Sequence, residues 1–267
     1  MIIFTLGRII DLNYKTNRLV VLLTLAASAV GWLVTGAFLS GLSIGVGVFL
    51  TWALAREIDP KHDYSAILAA GFALINLFYY ESVQLLVLGW LLLVLRMVNG
   101  LCGKAVTVFD MLLTLGLTTY LSFSNDNSIY LVAFLLAIYL VSKGRRLTRT
   151  FVIINAIASV LFLVQSFFLD YLNFDPVSGM DTLTTVFFTL IGLSFILFWF
   201  LSREEALDDQ GNKVNRSRLF AAQILYSASV LLIFFFDDVS LNNLIIYASV
   251  ILAVTLFYIG SKLAKAF

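Results

Sequence analysis

Ten apolar runs, with every basic residue falling in alternate gaps between them, leave this chain very few ways to fold. The runs lie at about 19–39, 41–55, 64–80, 82–98, 105–123, 127–142, 150–169, 182–201, 219–236 and 241–261. Charged residues make up 12% of the 267, about half the ~25% of an ordinary soluble domain. A hydrocarbon core of ~30 Å takes about 20 apolar helical residues to cross. Several runs are shorter, but aromatic and basic flanks extend them and a bilayer thins locally around short spans.

Charge turns the runs into a topology. Arg8, Lys15 and Arg18 precede the first run, Arg56 and Lys61 follow the second, and Arg96 and Lys104 follow the fourth. Lys143, Arg145, Arg146 and Arg149 follow the sixth, Arg203, Lys213, Arg216 and Arg218 the eighth, and Lys262 and Lys265 the tenth. Basic loops stay in the cytoplasm, so all 17 Lys and Arg share one face. The other face carries Glu81, Asp126, Asp170, Asp175, Asp181, Asp237 and Asp238 and no base. The stretch from Leu19 to Ala55 must then be a hairpin that crosses twice, because Arg18 and Arg56 share a side. The expected fold is an all-α integral membrane protein, a bundle of ten transmembrane helices in one transmembrane domain spanning 1–267. Both termini are expected in the cytoplasm, and a cell membrane is the expected location. The apolar run after Arg18 is too long for the core of a cleavable signal. Ile3, Leu6 and Ile10 share a helical face, the pattern of a short helix lying in the membrane interface.

Ten spans divide into five plus five, 1–123 and 124–267, and an odd number per half makes the halves inverted. Asp59-Pro60 and Asp175-Pro176 contain the only two prolines, and each follows the second span of its half on opposite faces. Inverted repeats recur in secondary transporters, and the architecture looks like that of the ten-helix drug and metabolite transporters.

The inventory excludes much chemistry. One Cys (Cys102) and one His (His62) permit no internal disulfide and no Cys/His zinc cluster. No phosphate-binding glycine loop is present. Nucleic acid is not an expected partner, since topology alone accounts for the bases. The lipid bilayer is one, with anionic headgroups at the inner face. Gly41-x-x-x-Gly45 offers a small-residue face, which suits a tight helix hairpin or an oligomer contact.

Chemistry-bearing side chains concentrate in two inner loops. The first, residues 56–63, holds Arg56, Glu57, Asp59, Lys61, His62 and Asp63; the second adds Arg96, Asn99, Lys104 and Asp110. Carboxylates, bases and the sole histidine together could hold a phosphate, bare or metal-bridged. Each also has a structural reading: Asp59 and Pro60 as N-cap and first residue of a helix, and Thr107-x-x-Asp110 as a capping box. Asp59-x-x-x-Asp63 resembles part of the aspartate-rich loops of membrane prenyltransferases, which implies magnesium-bound diphosphate. That family has a second acidic loop, whereas the corresponding segment here, Ser142-Lys143-Gly144-Arg145-Arg146, is basic. No cofactor is expected outside that reading, and magnesium only within it. The chain leans away from being an enzyme.

Within the spans no charge lies near the midplane, so an ion-coupled carrier is disfavoured. Asn76, Asn155 and Gln165 are the pathway candidates. The leading expectation is a small carrier or exporter of an apolar solute, metabolite or lipid. A lipid- or prenyl-phosphate enzyme and a non-catalytic subunit of a membrane complex are the alternatives.

Overall fold

The computed structural model describes residues 4–8, 10–79, 83–143, 149–172, 182–236 and 239–264. Glu81, Arg145, Arg146, Asp175, Pro176, Asp181, Asp237, Asp238, Lys265 and Ile3 lie outside them. Within them the chain forms ten α-helices: α1 Lys15–Thr35, α2 Phe38–Ile58, α3 Asp63–Ala73, α4 Leu85–Asn99, α5 Val108–Ser124, α6 Ile129–Lys143, α7 Arg149–Phe168, α8 Thr182–Leu201, α9 Arg216–Phe236 and α10 Leu241–Leu263. A 3-10 turn, Leu74–Phe78, continues α3. The only β pairing among the described residues is an isolated antiparallel bridge, Leu207 with Lys213. It closes the polar turn whose Gly211 takes φ +80°.

Six helices, α1, α2, α7, α8, α9 and α10, are long and apolar enough to cross a membrane. The other four, counting α3 with its 3-10 turn, run 15–17 residues or less, about 22–25 Å at 1.5 Å per residue. α1, α7 and α8 leave large apolar side chains uncovered, among them Leu33, Val160, Phe167, Ile196 and Trp199. Helices that satisfy their own backbone and present such side chains outward are built for lipid rather than water. The chain is a helical membrane protein.

Two compact units interleave along the sequence. The first comprises Met1–Arg8, Trp90–Met180 and Glu205–Asp238. In it α6 packs against α5, α7 and α9. Trp90 is fully buried there, its Nε1 donating to Thr118 Oγ1 at 2.9 Å. Its ring meets Tyr130 edge-on at 5.2 Å. The second unit comprises Ile9–Gly89, Asp181–Glu204 and Val239–Phe267. There α10 is the hub, packed by α2, α3 and α8, while α1 packs along α2.

Several local expectations are corrected. The first hairpin does turn between two 21-residue helices, but at Gly36-Ala37 rather than near Gly41. Gly36 ends α1 at φ +69°, its N–H donating to Trp32 O, a left-handed cap that glycine adopts without strain. Gly41 and Gly45 stay inside α2 and face Thr24, Ser28 and Trp32 of α1. α2 runs on to Ile58, so Arg56 and Glu57 are helical rather than in a loop. Asp59 closes α2, its N–H donating to Ala55 O at 2.8 Å, and is not an N-cap; α3 begins at Asp63 after His62. The described residues before α1 are not helical. Thr5 and Leu6 pair with Asp110 and Arg96 outside the segment, while Asn13 and Tyr14 close a local turn on Asp11.

Candidate functional site

In the second unit, the end of α2 and the start of α3 bring four of the singled-out residues together. Asp59 is 1% exposed, and both its oxygens face His62 Nδ1, at 3.0 and 3.1 Å. The His62 ring in turn lies 5.3 Å from that of Phe257 on α10. Arg56 forms an ion pair with Asp63, and Glu57 is fully buried. Beside them Lys61 Nζ donates to Glu204 Oε2 at 2.5 Å, and Lys262 Nζ donates to Glu204 Oε1. One carboxylate just beyond α8 thus ties the α2–α3 connection to the end of α10. Hydrogen bonds from Lys262 and Lys61 hold the Glu204 carboxyl down at about 2.

The other loop candidates belong to the first unit, where their partners are mostly backbone. Asp110 is fully buried in the first turn of α5 and accepts four hydrogen bonds. Thr107 N–H and Oγ1 donate at 2.7 and 2.8 Å, and Thr107 Oγ1 accepts the Asp110 N–H at 3.2 Å, which completes the capping box read from the sequence. Thr5 N–H and Oγ1 donate at 2.8 and 2.5 Å. The N-terminal segment is held further by Arg96, whose Nη1 donates to Leu6 O at 3.1 Å, and by an Arg8–Asp209 ion pair. Asn99 Oδ1 accepts from Leu101 N–H at 3.0 Å, and Lys104 is exposed. Arg218 donates to Val98 O and Met97 O, placing a cation on the unpaired carbonyls at the end of α4.

Among the pathway candidates, Asn155 sits exposed on α7. Gln165 is fully buried near the end of the same helix, its Oε1 accepting from Ser122. Asn76 is 2% exposed in the 3-10 turn that ends the α3 segment. Its Nδ2 donates to Asn242 O at 3.3 Å. Asn242 Nδ2 donates to Tyr79 O at 3.2 Å. Asn243 Oδ1 accepts the Gln84 N–H at 3.0 Å, while its Nδ2 donates to Gln84 Oε1 at 2.9 Å. A carboxamide network therefore joins the 3-10 end of α3 to the first turn of α10. Asn242, Asn243 and Thr5 are not singled out by the sequence, and Glu204 stands out there only, with Glu205, Asp208 and Asp209, as a substitute for a second acidic loop. Asn242 and Asn243 follow Ser240 as an ordinary helix opening, Glu204 sits in a mixed-charge loop, and Thr5 finds its partner 105 residues away.

Among the described residues no group of three or more His, Cys, Asp or Glu side chains is placed to hold a metal ion. No protein family matches the sequence, and no curated protein or solved structure is significantly similar to it.

Proposed function

We propose that this protein is a carrier or exporter of an uncharged, largely apolar solute, with its ten helices spanning a cell membrane and both termini in the cytoplasm. The observation that carries the reading is the polar end of α3. An eleven-residue α-helix gives way to a 3-10 turn at Asn76, a buried polar side chain in an otherwise apolar helix. Membrane carriers place substrate sites where helix ends bury polar groups, and here a terminal 3-10 turn, a common way for a helix to end, buries Asn76. α3 and α10 run antiparallel, with Asn76 on Asn242 at one end and His62 against Phe257 at the other. The Glu204 clasp on Lys61 and Lys262 closes that second end. A polar contact thus stands at each end of this helix pair.

The lipid-phosphate enzyme is less well supported. Asp59 is buried against His62 and Asp63 is paired with Arg56, so of the two carboxylates only Asp63 faces solvent. An oligomer through Gly41 and Gly45 would have to displace α1, whose backbone lies against both glycines.

Access from both sides tests the carrier reading without knowledge of the substrate. In a Cys102→Ser background, single cysteines at Ala69 and Ala73, both buried on α3, are exposed to a membrane-impermeant maleimide in right-side-out and inverted vesicles. A carrier labels from both faces. Labelling from one face alone, or from neither, removes the reading.

A further inference from the structure

We infer that Asn76 Oδ1 is the hydrogen-bond acceptor of a ligand site in the second unit, and that the site takes a neutral molecule with an N–H or O–H donor on an apolar body. The inference rests on the carrier reading only in taking that ligand to be the transported solute.

The orientation of every amide in the network is fixed by the backbone. Asn242 O can only accept, so the Asn76 group facing it must be Nδ2; turning the amide over would set oxygen against oxygen. Tyr79 O fixes Asn242 in the same way. The Gln84 N–H can only donate, which fixes Asn243 Oδ1 and sends its Nδ2 to Gln84 Oε1. With these assignments settled, Asn76 Oδ1 is buried and has no hydrogen-bond partner. A carbonyl oxygen stripped of water and given nothing in return is costly, and the defect lies where the helix already ends.

The chemistry of the occupant follows from what surrounds it. The four side chains of the network, Asn76, Gln84, Asn242 and Asn243, do not ionise, so among the described residues the network offers a buried charged ligand no counter-charge. A bare cation is disfavoured further because Asn242 O and Tyr79 O already accept amide protons. Val83, beside Gln84, and Ile246, one turn along α10 from Asn243, both approach Gly47 of α2. Both are apolar neighbours of the network along the chain. The 3-10 turn itself exposes Ile75 and Phe78 on either side of Asn76. A hydroxyl or amide head with a hydrophobic body matches this combination.

The test uses the full chain in detergent and two matched probe pairs: benzyl alcohol with benzyl methyl ether, and benzamide with N,N-dimethylbenzamide. Each pair keeps the apolar body and differs in the donor. The donor-bearing members should raise the melting temperature by roughly 2–4 °C near saturation, the others by much less. The preference should vanish in Asn76→Leu. Equal shifts within each pair in the wild-type protein would mean partition into apolar surface and would overturn the inference. So would no shift at all, which would leave a bound water as the only occupant. Should Asn76→Leu fail to fold, the comparison within pairs on the wild-type protein still decides. Two-sided labelling at Ala69 and Ala73 without discrimination keeps the carrier and removes this site. Discrimination with one-sided labelling keeps the site and removes the carrier.

Discussion

Replacing Gly41 by alanine should weaken the α1–α2 pair, although alanine is the better helix former. A Cβ built on Gly41 would stand 2.5 Å from Ser28 O and 2.8 Å from Trp32 Cα, both backbone atoms that no rotamer change can move. Ordinary contact begins at 3.4 Å, so α1 would have to retreat by about 0.9 Å. Overpacking of this kind costs about 1–3 kcal/mol, whereas exchanging glycine for alanine within a helix returns about 0.5–1 kcal/mol. The net expectation is a loss of about 1–2 kcal/mol, or roughly 2–8 °C in melting temperature for a chain of this size. Gly45→Ala should behave alike: its Cβ would lie 2.6 Å from Thr24 O, and moving Ser28 aside relieves only part of the conflict. Gly116 on α5 and Gly192 on α8 provide the control, since a Cβ on either meets nothing within 4 Å. Alanine there should leave stability unchanged or raise it. Thermal unfolding of the four variants in one detergent, followed by tryptophan fluorescence, separates the signs. Gly41→Ala melting with Gly116→Ala would refute the close approach of α1 to α2.

Two further outcomes follow from the polar contacts. Asp110→Asn sets an amide N–H₂ among four donors from Thr5 and Thr107. It should cost about 1–3 kcal/mol and release the N-terminal segment, read as faster hydrogen exchange at the Thr5 amide; unchanged exchange would refute the anchoring role. Glu204 has a carboxyl pKa depressed from 4.5 to about 2, so its contribution is complete above the unfolded value and is lost as pH falls through the folded one. Wild type should therefore melt above Glu204→Gln at pH 6, and the gap should close between about pH 4.5 and 2; a gap that persists at pH 2 would contradict the clasp.

The helices were legible because each is written in local pattern. The apolar runs match nine of the ten helices to within four residues, the third ending seven residues early at Ala73 in favour of a 3-10 turn, and Thr107-x-x-Asp110 closes its capping box as read. The errors arose where one local signal competed with another. Gly41 and Gly36 are both plausible breaks, and only the close approach of α1 gives Gly41 a different task. Asp59-Pro60 reads as a helix start, yet the burial of Asp59 against His62 extends the preceding helix instead. Asn155 and Gln165 look alike as letters ten residues apart on one helix, but that spacing carries them to different faces, one exposed and one buried. The polar networks were least legible. Glu204 meets Lys61 143 residues away, and Asn76 meets Asn242 166 residues away, distances over which sequence pattern says nothing about pairing.

The docking of residues 4–8 also sets an order of assembly. Thr5 cannot find its seat until Asp110 has been made, and Arg8 must wait for Asp209, 201 residues later. At ~5–20 residues per second of synthesis that is a delay of roughly 10–40 s. A segment made before its partners is thus among the last parts of its unit to settle. Throughout that interval a stretch that ends with Leu6 buried remains open to chaperones, proteases and any fusion attached ahead of it.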